Sequence, residues 1–297
     1  MSSLPKSWNE LVFQYGSQDQ SWWNLWLEIT ALPQPKTHIL FQKTFSSYLK
    51  DGAFDKLTLA SWRDLILFFA AQTALVQKHQ VTQKNIYSTT INRNFNQLPC
   101  TEQTLQNRVK SICARVSPEK KILILGDDDY VSLELYKKGY QNIVVIDIDK
   151  QVINKIKKNS SLKCFVHDLQ QPIQEIFIDH YDFITFDCPY SLKGFLLFFL
   201  ASLKINTNPA PQYLVNMSLL WLHNDYSSFL NELSNYQFKI SDYELGANAY
   251  PTTKTMNSSY RAGKFLLKLF IDKKYHPLYP ENLKFLSSDA LWLEKHP

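Results

Sequence analysis

The sequence predicts an α/β fold with a mostly parallel, Rossmann-like sheet, on three observations. From Lys120 onward, short apolar runs rich in β-branched residues alternate with helical segments. Most of these runs are continuous rather than alternating, as expected of parallel strands covered on both faces. Acidic residues recur at the ends of successive runs, where open α/β sheets bind their ligands.

The strands are expected at KILILG, NIVVIDID, LKCFVHD, YDFITFD and PQYLVNMS. Helical spacing places helices between them at residues 131–138, 150–158, 192–203 and 225–235. Two further strands, FKISDYEL and KFLLKLFID, follow with no helical pattern between them. Five βα units closed by a two-stranded hairpin make the seven-stranded sheet of class I methyltransferases, assigned here to residues 116–297. Residues 1–115 read as a mostly helical, winged-helix-like N-terminal domain. HILFQKTFSSYLKDG and LTLASWRDLILFFAAQTALVQKHQ carry apolar residues at three- and four-residue spacing there. The tryptophans Trp8, Trp22, Trp23 and Trp26 read as buried core or dimer contact. A last helix, CTEQTLQNRVKSICARV, leads into the second domain.

Composition narrows the function classes. The 297 residues are 45% hydrophobic, which excludes a disordered chain. The four cysteines are far apart and form no C-x-x-C pair, against both zinc and a secreted disulfide framework. The longest apolar runs, near residues 65–71 and 195–203, fall short of the ~20 residues a bilayer requires. A cytoplasmic protein with no membrane partner is expected. Net charge is +5, but its sign varies along the chain. Residues 1–118 hold 12 Lys and Arg against 7 Asp and Glu, residues 119–190 hold 9 against 12, and residues 191–297 hold 11 against 8. An acidic centre between basic flanks suits a cationic ligand.

The chemistry concentrates at the strand ends. Strand one ends in Gly126-Asp127-Asp128-Asp129, strand two in Asp147-Ile148-Asp149, strand three in His167-Asp168-Leu169 and strand four in Asp187. An acid after strand two is the usual partner of ribose hydroxyls, because a carboxylate accepts both hydrogen bonds. Asp168 suits an adenine amino group. Three aspartates in the first loop would repel the carboxylate of intact S-adenosylmethionine, which a glycine-rich loop and helix N-terminus favour. Decarboxylated S-adenosylmethionine keeps a sulfonium and a primary ammonium. An acidic loop suits that dication.

Strand four leads into Asp187-Cys188-Pro189-Tyr190. This turn resembles the (D/N)PP(Y/F) signature of enzymes that alkylate amino nitrogens. There the acid and a backbone carbonyl accept the N–H bonds of the nucleophile and aim its lone pair. Tyr190 offers a ring for a base or a polyamine cation.

Taken together, GDDD, IDID, HDL and the Asp-x-Pro turn resemble the branched-chain polyamine synthases, which are N4-bis(aminopropyl)spermidine synthases. TEQTLQNRVKSI and AYPTTKTMNSSYRAGKFLL resemble further parts of that family, and the likeness covers roughly residues 97–285. The resemblance implies a winged-helix-like N-terminal domain, a Rossmann-like catalytic domain and a homodimer. It implies aminopropyl transfer from decarboxylated S-adenosylmethionine, as co-substrate, to a polyamine such as spermidine, releasing methylthioadenosine, with no metal or prosthetic group. Asp187 is then the catalytic acid that orients and deprotonates the amine, beside Pro189 and Tyr190 as substrate contacts. Gly126 and Asp127–Asp129 hold the aminopropyl donor. Asp147 with Ile148, and Asp168 with Leu169, hold its nucleoside. The turn departs from the family's Asp-Pro-Pro-Glu-Thr: Cys188, Tyr190 and Ser191 replace Pro, Glu and Thr, so one carboxylate that could bind a polycation is absent.

Two other classes compete. An N-methyltransferase using intact S-adenosylmethionine, acting on an amino group of nucleic acid, would suit the turn and the basic N-terminal segment. The missing loop glycines weigh against it, and nucleic acid is not an expected partner. A non-catalytic regulator that binds a nucleoside or polyamine is disfavoured by the presence of Asp187.

Overall fold

The structure is a computed structural model that describes residues 4–16, 24, 95, 97–252, 273, 274 and 285–296. The winged-helix-like reading of the N-terminal domain rests almost entirely on other residues and so lies outside the described ones. The same holds for the run KFLLKLFID.

Seven strands form one sheet in the order β3-β2-β1-β4-β5-β7-β6. Their spans are β1 Ile122–Leu125, β2 Ile143–Asp147, β3 Lys163–Val166, β4 Phe183–Asp187, β5 Gln212–Met217, β6 Phe238–Pro251 and β7 Phe285–Lys295. The first five are parallel, with β4 paired in register to both β1 and β5. β7 inserts antiparallel between β5 and β6. The five parallel strands fall where the apolar runs place them. The seventh does not come from the expected run; it is FLSSDALWLEK, whose Ser287, Ser288 and Asp289 are fully buried.

Strand parity divides the core. Leu123, Leu125, Ile184, Phe186, Tyr213 and Val215 face one side, where α1 (Trp8–Gly16), α5 (Leu192–Ile205) and α6 (Tyr226–Asn235) pack. Ile122, Ile124, Ile143, Val145 and Leu214 face the other, under α2 (Glu102–Cys113), α3 (Val131–Lys137) and α4 (Lys150–Asn159). The two helices described within the first 115 residues, α1 and α2, therefore belong to the layers around the sheet. α1 buries Leu11 and Val12 completely and ties its Tyr15 hydroxyl to Asp289 Oδ2 at 2.7 Å. α2 buries Leu105, Val109 and Ile112. Among the described residues no helix is long and apolar enough to cross a membrane.

Helix starts follow local chemistry. Asp149 accepts from Gln151 N at 2.8 Å and caps α4; Ser191 accepts from Gly194 N at 3.0 Å and caps α5; Thr101 caps α2 through Thr104 N at 3.2 Å.

Candidate active site

A pocket opens at the carboxyl ends of β1 and β4, lined by Gly126, Asp127, Asp128, Asp129, Asp187 and Arg108, with Asn216 on β5 beside them. It lies where the strand order reverses, between β1, whose other neighbour is β2, and β4, which leads outward to β5.

The β1 loop is shaped by two left-handed residues. Gly126 has φ +72° and Tyr130 φ +59°. Glycine takes that conformation at no steric cost; for a buried tyrosine it is strained by about 1–2 kcal/mol. Between them the three aspartates have separate fates. Asp127 is buried and accepts from Ser132 N at 3.3 Å, at the start of α3. Asp129 is buried and ion-paired with Arg108 Nη1 at 2.5 Å, and accepts from Cys100 N. Asp128 is half-buried, and no hydrogen bond to it is formed among the described residues. Burial, then the charges of Asp129, Asp187, Asp147 and Asp127, push its carboxyl well above the usual range.

Asp147 binds two loops at once. Its Oδ2 accepts from Asp127 N at 2.8 Å and its Oδ1 from Asp149 N at 2.7 Å, leaving each oxygen a second lone pair. The next residue, Ile148, is 38% exposed. Asp168 accepts from Gln170 N at 2.9 Å, and Leu169 packs against the core from a half-buried position. Both stand past the end of β3, two strands from β1.

Asp187 ends β4 with its side chain 18% exposed. Its Oδ2 accepts from Arg108 Nη2 at 2.7 Å and from Tyr250 Oη at 2.5 Å. Burial raises its carboxyl to about 6, against the opposing pull of the Arg108 cation. Cys188 is buried, its thiol pushed up by burial and by Asp187, so it is not a thiolate nucleophile. Pro189 and Tyr190 are half-buried, and the Tyr190 ring meets Tyr250 edge-on at 6.1 Å. The turn is wedged against α5, because a Cβ on Gly194 would sit 2.3 Å from the Pro189 carbonyl oxygen.

Of the residues read from sequence, the pocket gathers Gly126, Asp127, Asp128, Asp129 and Asp187; Asp147 supports the loop from behind. Pro189, Tyr190, Ile148, Asp168 and Leu169 do not line it. Arg108, Asn216, Asn248, Tyr250 and Ser288 were missed. Arg108 had a signal: with Leu105, Val109 and Ile112 it lies on the buried face of α2 at helical spacing, an unusual place for a cation.

Residues 74–290 match the model of the branched-chain polyamine synthase A C-terminal domain. An uncharacterized protein of Methanocaldococcus jannaschii is 32% identical over 123 residues, 39% of this chain and 30% of that protein. The N(4)-bis(aminopropyl)spermidine synthase of Thermococcus kodakarensis is 29% identical over 112 residues, 35% of this chain and 32% of that enzyme. The matched stretches thus span about a third of these relatives' length. The branched-chain polyamine synthase of Thermus thermophilus, solved with N4-aminopropylspermidine and 5′-methylthioadenosine, shares the fold with a TM-score of 0.54 and 19% identity, over 79% of this chain and 64% of that one. With that family model matching most of the chain, residues 74–290 of 297, the chain belongs to the branched-chain polyamine synthase family.

Proposed function

We propose that the protein is an aminopropyltransferase that moves the aminopropyl group of decarboxylated S-adenosylmethionine to a polyamine such as spermidine. The observation that carries this is the charge of the pocket. Among the described residues four aspartates line it against one cation, Arg108, and that cation is already held by Asp129 and Asp187. An intact methionine carboxylate would meet Asp128 with no free cation among the described lining residues. The ammonium of the decarboxylated donor meets a partner.

In this reading the β1 loop holds the donor's aminopropyl arm, with Asp128 facing its ammonium and Asp127 and Asp129 fixing the loop. Asp147 and Ile148 take the ribose and one face of the base, and Asp168 with Leu169 its far edge. Asp187 accepts a proton from the attacking amine, whose pKa is near that of lysine, about 10. The nitrogen lone pair then attacks the propyl carbon next to sulfur, the carbon–sulfur bond breaks and methylthioadenosine leaves. A carboxyl titrating at about 6 is ionised and able to accept that proton at neutral pH. Pro189 and Tyr190 would shape the approach of the polyamine. The family resemblance also supports a homodimer and a cytoplasmic location.

The test is incubation with decarboxylated and intact S-adenosylmethionine against a panel of polyamines, with products read by mass. Aminopropylated product from the decarboxylated donor is expected. Methylated product alone would overturn the proposal.

A further inference from the structure

Arg108 is a buried cation in a pocket whose ligand is proposed to be cationic, and neither binding nor proton transfer to solvent explains it. It is 5% exposed and reaches four partners on three other segments. An arginine only donates, so Arg108 Nε fixes Asn248 Oδ1 as its acceptor at 2.8 Å. Asn248 Nδ2 is thereby turned toward Asn216 Oδ1 at 3.2 Å and Ser288 Oγ at 3.1 Å. Tyr250 Oη spends its one proton on Asp187 Oδ2, so at its 3.2 Å contact with Ser288 Oγ the serine is the donor. Arg108 Nη2 also donates to the Tyr250 hydroxyl and to the same Asp187 oxygen. One path of donors thus runs from Arg108 through Asn248, Ser288 and Tyr250 to Asp187 Oδ2, with side branches to Asn216 and Asp129.

Resting on the aminopropyl-transfer reading, we propose that Arg108 is a positioning residue that, with Tyr250, pins Oδ2 of Asp187 and reserves Oδ1 for the incoming amine. Oδ1 receives no hydrogen bond among the described residues. Asp129 then serves as the second counter-ion of Arg108, so that the guanidinium is shared between two acids and does not neutralise the base outright. The groups facing Asp187 are Arg108 on α2, Cys100 just before it, Asp128 and Asp129 on the β1 loop, Cys188 and Tyr190 in its own turn, and Tyr250 on β6. Among them Arg108 and the Tyr250 hydrogen bond lower the Asp187 carboxyl, and Asp129 raises it.

The clamp predicts shifts of opposite sign, which a scaffold role would not produce. The tests are the pH dependence of kcat/KM and, on the ligand-free full chain, the carbon-13 NMR titration of the Asp187 carboxyl. Arg108→Met should move both to higher pH by about one unit, and Asp129→Asn should move both lower. Turnover of Arg108→Met should fall about 100-fold, with methylthioadenosine affinity held within about threefold. Arg108→Lys keeps the charge but not the fork, so it should lose turnover with little shift in pH. Should Arg108→Met not fold, because two acids lose their buried cation, Tyr250→Phe stands in its place: it removes the other hydrogen bond to Oδ2 and should likewise raise the Asp187 titration. The proposal is overturned if Asp187 titrates as in the wild type in Asp129→Asn and in Arg108→Met or its stand-in, if the shifts share a sign, or if Arg108→Lys keeps full turnover. If the wild type makes no aminopropylated product, the functional reading falls while the NMR titration still decides the clamp.

Discussion

Replacing Asp128 with Asn should weaken binding of decarboxylated S-adenosylmethionine while barely affecting methylthioadenosine. The two ligands share the nucleoside and differ by the aminopropyl arm with its ammonium and by the sulfonium charge, so their comparison isolates the cationic contacts of the donor. In the β1 loop, Asp127 is spent on Ser132 N and Asp129 on Arg108, which leaves Asp128 as the carboxylate able to take a new cation. A charge-assisted hydrogen bond contributes about 1.5–3 kcal/mol, and the half-exposed position of Asp128 argues for the lower part of that range. The expected loss is therefore roughly 10- to 50-fold in Kd for the decarboxylated donor and under about threefold for methylthioadenosine. Titration calorimetry of both ligands on both proteins is the assay. The variant should also melt no lower than the wild type, because Asp128 is held among four other carboxylates and removing its charge relieves repulsion. Equal weakening of both ligands would refute the reasoning by showing that Asp128 shapes the loop and does not meet the ammonium. So would no weakening of either.

Asp187→Asn should lower turnover by roughly 10² to 10⁴ while methylthioadenosine binds nearly as before, since the lost charge acts mainly in the transition state; near-normal turnover would remove Asp187 from the mechanism. In the wild type, activity should fall as pH drops through about 6, because the raised carboxyl becomes protonated there and can no longer accept the amine's proton. Binding of decarboxylated S-adenosylmethionine near that pH should release protons, since a cation beside Asp128 and Asp187 favours their ionised forms. Calorimetry in two buffers of different ionisation heat reads the release, and a buffer-independent heat would count against it. Gly194→Ala should cost about 1–3 kcal/mol in denaturant unfolding and depress turnover more than nucleoside binding, because the new Cβ would strike the Pro189 carbonyl oxygen and displace the turn that carries Asp187.

The parallel half of the sheet was legible because its strands are covered on both faces, and KILILG or YDFITFD needs no tertiary knowledge to be read as such. The acids at the strand ends were legible for a similar reason, since strand direction alone brings them to one edge. β7 was not. Its Ser287, Ser288 and Asp289 are buried and break any apolar pattern, and each is accommodated by distant partners. Ser287 donates to Asn248 O at 2.9 Å, and Asp289 accepts from Tyr15, Leu219 N and Gly246 N. The clamp on Asp187 was hidden for the same reason. Arg108 is 21 residues from Asp129 and 79 from Asp187, and only the folded sheet brings helix α2 over the ends of β1 and β4. The separate tasks of the three loop aspartates were likewise invisible, because their identical side chains are distinguished only by what the backbone turn points them at.

The docking of α1 has a topological consequence. Its residues Trp8, Leu11, Val12 and Tyr15 are embedded on one side of the sheet, whereas Cys100 leads into α2 on the opposite side. The described helices α1 and α2 are thus both integral to the layers around the sheet, one on each side. Truncation to residue 116 would not free a self-sufficient enzyme. It would strip one helix from each flank, uncover Asp289 and delete the guanidinium that holds Asp187.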